Sequence, residues 1–195
     1  MSTQLMTEWI FSGGISSLLG GLKLMLPAEI NFLLFSLAIY IVHQDASKIF
    51  GSFIMGTLVY FAASYLTFLH ILDFHSFIIA YIVLIGIVIV LLDNLFTQKF
   101  KGYRLGSISG FNIVYGILMT KLLMENNSNI SMTTGSFLNI QMGIIIGQLL
   151  LTGLFYVIIK KLGSSLVHYR EKVVMPVSLL LLLAVGVQVY RLLIL

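Results

Sequence analysis

The chain alternates long apolar runs with short polar ones. The longest apolar run, Leu72 to Phe96, reads LDFHSFIIAYIVLIGIVIVLLDNLF and carries no charged side chain from Ser76 to Leu92. In water, so much Ile and Val would suggest a buried strand. An uncharged run of this length suggests a helix across a bilayer, because about 20 residues at ~1.5 Å each match the hydrocarbon thickness. Lipid offers backbone amides no partners, so a helix, which satisfies them internally, overrides the β-propensity.

The same pattern predicts six spans, at about residues 24–42, 49–70, 76–96, 105–124, 137–159 and 173–195. Pro27 and Pro176 fall in first turns, where a missing N–H costs little. Residues 5–22 are apolar but short, and Gly13, Gly14, Gly20 and Gly21 interrupt them. Trp9 favours the headgroup level. Residues 1–23 are therefore expected to form an amphipathic N-terminal segment, on the membrane surface or packed as a short buried helix. The expected fold is an all-α integral membrane protein, one membrane domain over 1–195 with a six-helix bundle from residue 24.

Composition sharpens this picture. Of 195 residues, 59% are hydrophobic and 9% charged, against about 25% charged in a soluble domain, and the mean hydropathy is +1.06. With no Cys, disulfides, thiol chemistry, iron–sulfur clusters and zinc–thiolate sites are excluded. The net charge of +4 does not point to nucleic acid, since the basic residues are dispersed through the loops. Lys48, Lys99, Lys101, Arg104, Lys160, Lys161, Arg170 and Lys172, eight of the eleven Lys and Arg, fall in the odd-numbered loops. The loop from Glu125 to Ser136 has none. The positive-inside rule places the odd loops in the cytoplasm or matrix and both termini outside. Residues 1–22 contain Glu8 and no Arg, and Lys23 is the first basic residue, so neither a mitochondrial presequence nor a secretory signal is expected.

Few residues are candidates for chemistry. His70, Asp73 and His75 offer three metal ligands between spans two and three, although a structural metal wants a fourth; the plainer reading is a polar hairpin facing water. Asp93, with Asn94 beside it, closes span three. An ionisable group at membrane depth is a functional candidate that needs a partner, and Lys99 or Lys101 would serve; the alternative is a last-turn group at the interface. Glu29, two residues past Pro27, suits a helix N-terminal dipole or a proton-handling role. Lys121 and Glu125 are placed to pair along one helix. Asn112, Gln141, Gln148 and Gln188 lie inside spans, where amides bond to neighbouring helices, and the pairs Gly106/Gly110 and Gly143/Gly147 have the spacing of close helix contacts. No nucleophile triad, Walker motif or haem pair is present.

Over Ser36 to Phe96 the chain resembles subunit 6 of the mitochondrial NADH:ubiquinone oxidoreductase (complex I), the bacterial J subunit. Asp45-Ala46-Ser47-Lys48 takes the place of that family's polar loop after its first helix, and Leu72-Asp73-Phe74 matches the turn into its third. Ile146–Thr152 and Leu162–Tyr169 each resemble the family's Leu-Gly-x-Leu-Leu-Tyr-Thr. Two features depart from the pattern. Tyr81 and Gly86 are five apart where the family's Tyr-x-Gly has two, and six spans are expected where the family has five. The resemblance implies a subunit without a redox centre or cofactor, partnered by other membrane subunits of a large respiratory complex and by lipids. Its third helix, carrying a π-bulge that comes and goes, would help couple quinone reduction to proton translocation. On that basis Tyr81, Gly86, Asp93 and Glu29 are the coupling candidates, with a bulge or close helix crossing expected between Tyr81 and Gly86. The implied location is the mitochondrial inner membrane, or a bacterial cytoplasmic membrane. The alternatives are a small six-helix transporter or substrate-binding membrane subunit, and a structural accessory subunit.

The orientation is testable. An impermeant thiol reagent added outside should label Ser128→Cys and spare Ser164→Cys; the reverse pattern would overturn it.

Overall fold

The computed structural model describes residues 14–28, 30–42, 46–96, 103–126, 132–165 and 168–194. Among them every regular element is helical: α1 (Gly14–Ala28), α2 (Ile30–Tyr40), α3 (Ala46–Phe68), α4 (Ser76–Phe96), α5 (Tyr103–Asn126), α6 (Thr134–Ser165), a π-helical segment (Arg170–Val174) and α7 (Met175–Ile194). Five helices, ending in α7 together with its π-helical lead-in, are long and apolar enough to cross a membrane. The chain is a helical, multi-pass membrane protein.

The surface pattern follows from lipid as solvent. Along α4, Ile78, Ile82, Ile85, Ile89, Leu92 and Phe96 are exposed, while Ile79, Val83, Ile87, Val90 and Asn94 face the bundle. Hydrocarbon does not drive apolar faces together, so the exposed stripe costs nothing there, and association rests on close packing and polar contacts. The interior accordingly holds Ser36, Ser52, Ser64, Thr67, Thr120 and Thr152 among its buried residues.

Small residues set the closest approaches. A Cβ on Gly116 of α5 would stand 2.6 Å from the Tyr60 carbonyl oxygen of α3, and the Ser64 hydroxyl donates to the Gly116 carbonyl at 3.3 Å. The α1–α6 contact is tighter still. A Cβ on Gly21 would collide with the Ile140 carbonyl, and one on Gly143 with the Leu18 carbonyl. Higher α1 numbers meet lower α6 numbers, so the two helices run antiparallel. Of the expected N-terminal segment, residues 14–23 thus lie in a helix that packs its glycine face on α6 and leaves Ile15 and Leu19 exposed, and residues 1–13 fall outside the described residues. Gly143 has the packing role that its spacing suggested. Gly106 and Gly110 do not: both are exposed, with open space where a Cβ would stand.

The expected first span, 24–42, is not one helix. Residues 24–28 finish α1, and α2 begins at Ile30. Pro27 lies in the last turn of α1 and not in a first turn. At 15 and 11 residues, or about 22 and 16 Å, neither helix alone matches a ~30 Å core. Glu29, between them, falls outside the described residues.

The ends of α3 and α6 are capped locally. His70 adopts φ 57°; its N–H donates to Thr67 and that of Ile71 to Leu66, at 2.9 and 3.0 Å, a Schellman cap with His where Gly is commoner. At the start of α6 the Ser136 N–H donates to Thr133 Oγ1 at 3.2 Å, an N-cap by Thr133.

The π-helix is not where it was expected. α4 is α-helical from Ser76 to Phe96, and a Cβ on Gly86 would meet only the Phe111 ring, at 3.7 Å. There is thus neither a bulge nor a tight crossing between Tyr81 and Gly86. The wide turn instead precedes α7, where the Met175 N–H donates to the Arg170 carbonyl five residues back. Pro176 explains it: a proline ring crowds the carbonyl four residues earlier, here Lys172, and a widened turn moves that carbonyl aside.

In reversible unfolding in detergent, Gly143→Ala should lose about 1–3 kcal/mol because the α1 backbone must retreat. Gly153→Ala, with open space around it, should be neutral or gain up to about 1 kcal/mol. Equal effects at the two positions would refute the close α1–α6 contact.

Candidate functional site

The polar side chains converge at the end of the bundle where α2 and α4 finish and α5 and α7 begin. Within a bilayer the last carbonyls of a helix need donors from elsewhere in the protein. α2 ends against α4, and the Asn94 amide donates to its Ala38 carbonyl at 2.6 Å. Just past α2, the Ile41 carbonyl accepts the Tyr169 hydroxyl at 3.0 Å; burial pushes the Tyr169 phenol pKa up, which keeps this donor protonated. Arg170, the first residue of the π-helix, donates through Nη2 to the Leu95 carbonyl at 2.8 Å. Side chains from α4 and from the π-helical turn thus hold the ends of α2 and α4 together.

Beside this clasp lies an ion pair. Arg104 Nε donates to Asp93 Oδ2 at 2.5 Å, and Nη2 contacts the same oxygen. Arg104 is 2% exposed and Asp93 15%. A pair this enclosed is held by geometry, and removing one partner would strand the other charge at a cost of about 3–5 kcal/mol. Arg104 Nη1, Arg170 Nε and Asn94 Oδ1 are buried with no hydrogen-bond partner. The cluster therefore has spare donors and one spare acceptor.

Towards the bundle centre, a seam of polar groups lines a cavity of about 10 Å³ between α2, α3, α5 and α6. Ser36, Tyr40, Ser52, Thr57, Asn112 and Gln148 supply its polar wall. On its apolar side Phe35 stacks on Phe111 at 3.4 Å between ring centroids.

The sequence-expected residues separate into three groups. Asp93 lies in the cluster, and its partner is Arg104; Lys99 and Lys101 fall outside the described residues, as does Glu29. Tyr81 and Gly86 lie elsewhere on α4: Tyr81 meets Phe77 edge-on at 4.9 Å, and Gly86 packs by Phe111. At the opposite end of the molecule Asp73 pairs with Lys121, which takes Lys121 from its expected partner Glu125. That hydrogen bond, and then the Lys121 charge, hold the exposed Asp73 carboxyl below its ordinary pKa. Its folded-state preference for the ionised form is lost as pH falls through that lowered value. Asp73 is tied to Lys121, and the three expected metal ligands do not form a metal-holding group. Among the described residues no His, Cys, Asp or Glu group is placed to hold a metal.

The amides also depart from expectation. The Asn112 side chain donates to its own helix, at the Ile108 carbonyl, 2.8 Å away. Gln141 has no partner for either amide atom, and Gln148 none for Nε2. Arg104, Tyr169 and Arg170 were missed by sequence reasoning as site residues, because loop charges and a lone Tyr carry no sign of the carbonyls they meet. Arg104 did carry one signal: it stands at the start of a span, eleven residues from Asp93.

No family model, no curated protein and no solved structure matches the chain.

Proposed function

We propose that this chain is a membrane subunit without a redox centre that works inside a larger assembly. In the manner of the complex I subunit 6 chains it resembles, it would help couple quinone reduction to proton translocation. The observation that carries this reading is the enclosed Asp93–Arg104 pair at the end of α4, the helix the resemblance places at the coupling point. Asn94, next in sequence, holds the end of α2, so a change at the ion pair is felt directly by a second helix. Five long apolar helices equal the family's number, and the α1–α2 pair supplies the sixth membrane element of this reading. Because α4 lacks a bulge, the coupling element in this reading is the charged end of α4, and Tyr81 and Gly86 lie elsewhere along the helix. The membrane is the mitochondrial inner membrane or a bacterial cytoplasmic membrane.

A small transporter is the second reading, and the polar seam favours it. Its cavity, about 10 Å³, is the size of a water molecule and not of a solute, which leaves it the weaker of the two.

Solubilised in mild detergent, the native chain should co-migrate with a large NADH-oxidising assembly. In that assembly Asp93→Glu keeps the charge but lengthens the side chain. It should lower protons moved per electron several-fold while leaving assembly intact. A free monomer or small oligomer, or full pumping in Asp93→Glu, would defeat the proposal.

A further inference from the structure

The polar seam has a property that does not depend on the coupling proposal. Two buried atoms at the cavity lack any hydrogen-bond partner: Thr57 Oγ1 on α3 and Gln148 Nε2 on α6. Both residues line it, together with Ser36 and Tyr40 of α2 and Ser52 of α3. Gln148 is 1% exposed, so its amide cannot turn to solvent or lipid. One atom is an obligate donor and the other accepts or donates. A single species able to accept from one and donate to the other would satisfy both.

We infer that this cavity is a binding site for one ordered water molecule, which bridges α3 and α6 beside α2 inside the membrane. Size, partners and charge agree. A volume of about 10 Å³ is close to the smallest that admits one water, and a buried water needs two to four polar partners, roughly what Thr57, Gln148 and the hydroxyl groups around them provide. No carboxylate lines the cavity, so a bare cation would lie in low dielectric without a counter-charge. The occupant is therefore neutral.

Position 56 is Gly, and the room it leaves is taken by Asn112: a Cβ there would stand 2.7 Å from Asn112 Nδ2. The Asn112 amide is turned back to the Ile108 carbonyl of its own helix and so does not bridge to α3. The water bridges α3 and α6 beside the Ser36 and Tyr40 hydroxyls of α2.

Thr57→Val and Gln148→Leu in the full-length protein in detergent test the site. Thr57→Val keeps the shape and removes the hydroxyl. With the water bound, it breaks the bridge and should lower Tm by about 3–6 °C. Gln148→Leu breaks the same bridge, so the double variant should lose clearly less than the sum of the two. In a dry cavity Thr57→Val only removes an unpaired hydroxyl, and Tm would stay level or rise. That result, or additive losses, would overturn the inference. A high-resolution density map of the unaltered protein decides independently: a solvent peak within hydrogen-bond reach of Thr57 Oγ1 and Gln148 Nε2 is expected, and featureless density there would overturn the site.

Discussion

Backbone carbonyls that end inside a bilayer must find donors, because lipid supplies none. α2 ends against α4, and the arrangement around it is an answer to that constraint. Asn94 reaches the Ala38 carbonyl, Tyr169 the Ile41 carbonyl and Arg170 the Leu95 carbonyl. These three contacts join the end of α2 to α4 and to Tyr169, and the end of α4 to Arg170. The Asp93–Arg104 pair then forms next to Asn94, between helices whose ends are already set.

The same solvent logic explains why the molecule is apolar outside and partly polar inside. α4 shows hydrocarbon a row of Ile side chains, while Ser, Thr, Asn and Gln occupy the contacts between helices. Where backbones come closest, at Gly21 with Gly143 and at Gly116 with Tyr60, the missing side chains let dispersion act over short distances.

The long helices were legible in the sequence because apolar length is a local property. The run at 76–96 was expected and found without a change of boundary. The cap of α6 by Thr133 lies a few residues before the expected start, and a Thr before an apolar run is a local signal that could have placed it. What the pattern could not reveal depends on separation in the chain. The α1–α2 break is hidden because hydropathy stays high on both sides of Pro27. Asp93 was visible as a group that needs a partner, but which nearby cation it meets, Arg104, depends on how α4 and α5 pack together. Tyr169 meets Ile41 across 128 residues, and nothing near either residue signals the other. Glycine spacing was ambiguous for a similar reason: Gly143 and Gly106 read alike, yet one faces a backbone and the other the exterior. The wide turn before Pro176 had a local cause, the proline itself, which a first-turn reading passed over.

The central claim is that side chains from α4 and the π-helical turn terminate α2 within the bundle. The stability of Asn94→Leu against Asn112→Leu tests it most directly, by reversible unfolding in detergent. Both changes remove a buried amide of similar size, but the Asn94 amide bonds to another helix, whereas the described bond of Asn112 is to its own helix. Asn94→Leu leaves the Ala38 carbonyl without its donor and should cost about 1–3 kcal/mol. Asn112→Leu leaves the Ile108 carbonyl in its helical hydrogen-bonding environment and should cost clearly less. Equal losses, or no loss in Asn94→Leu, would contradict the account.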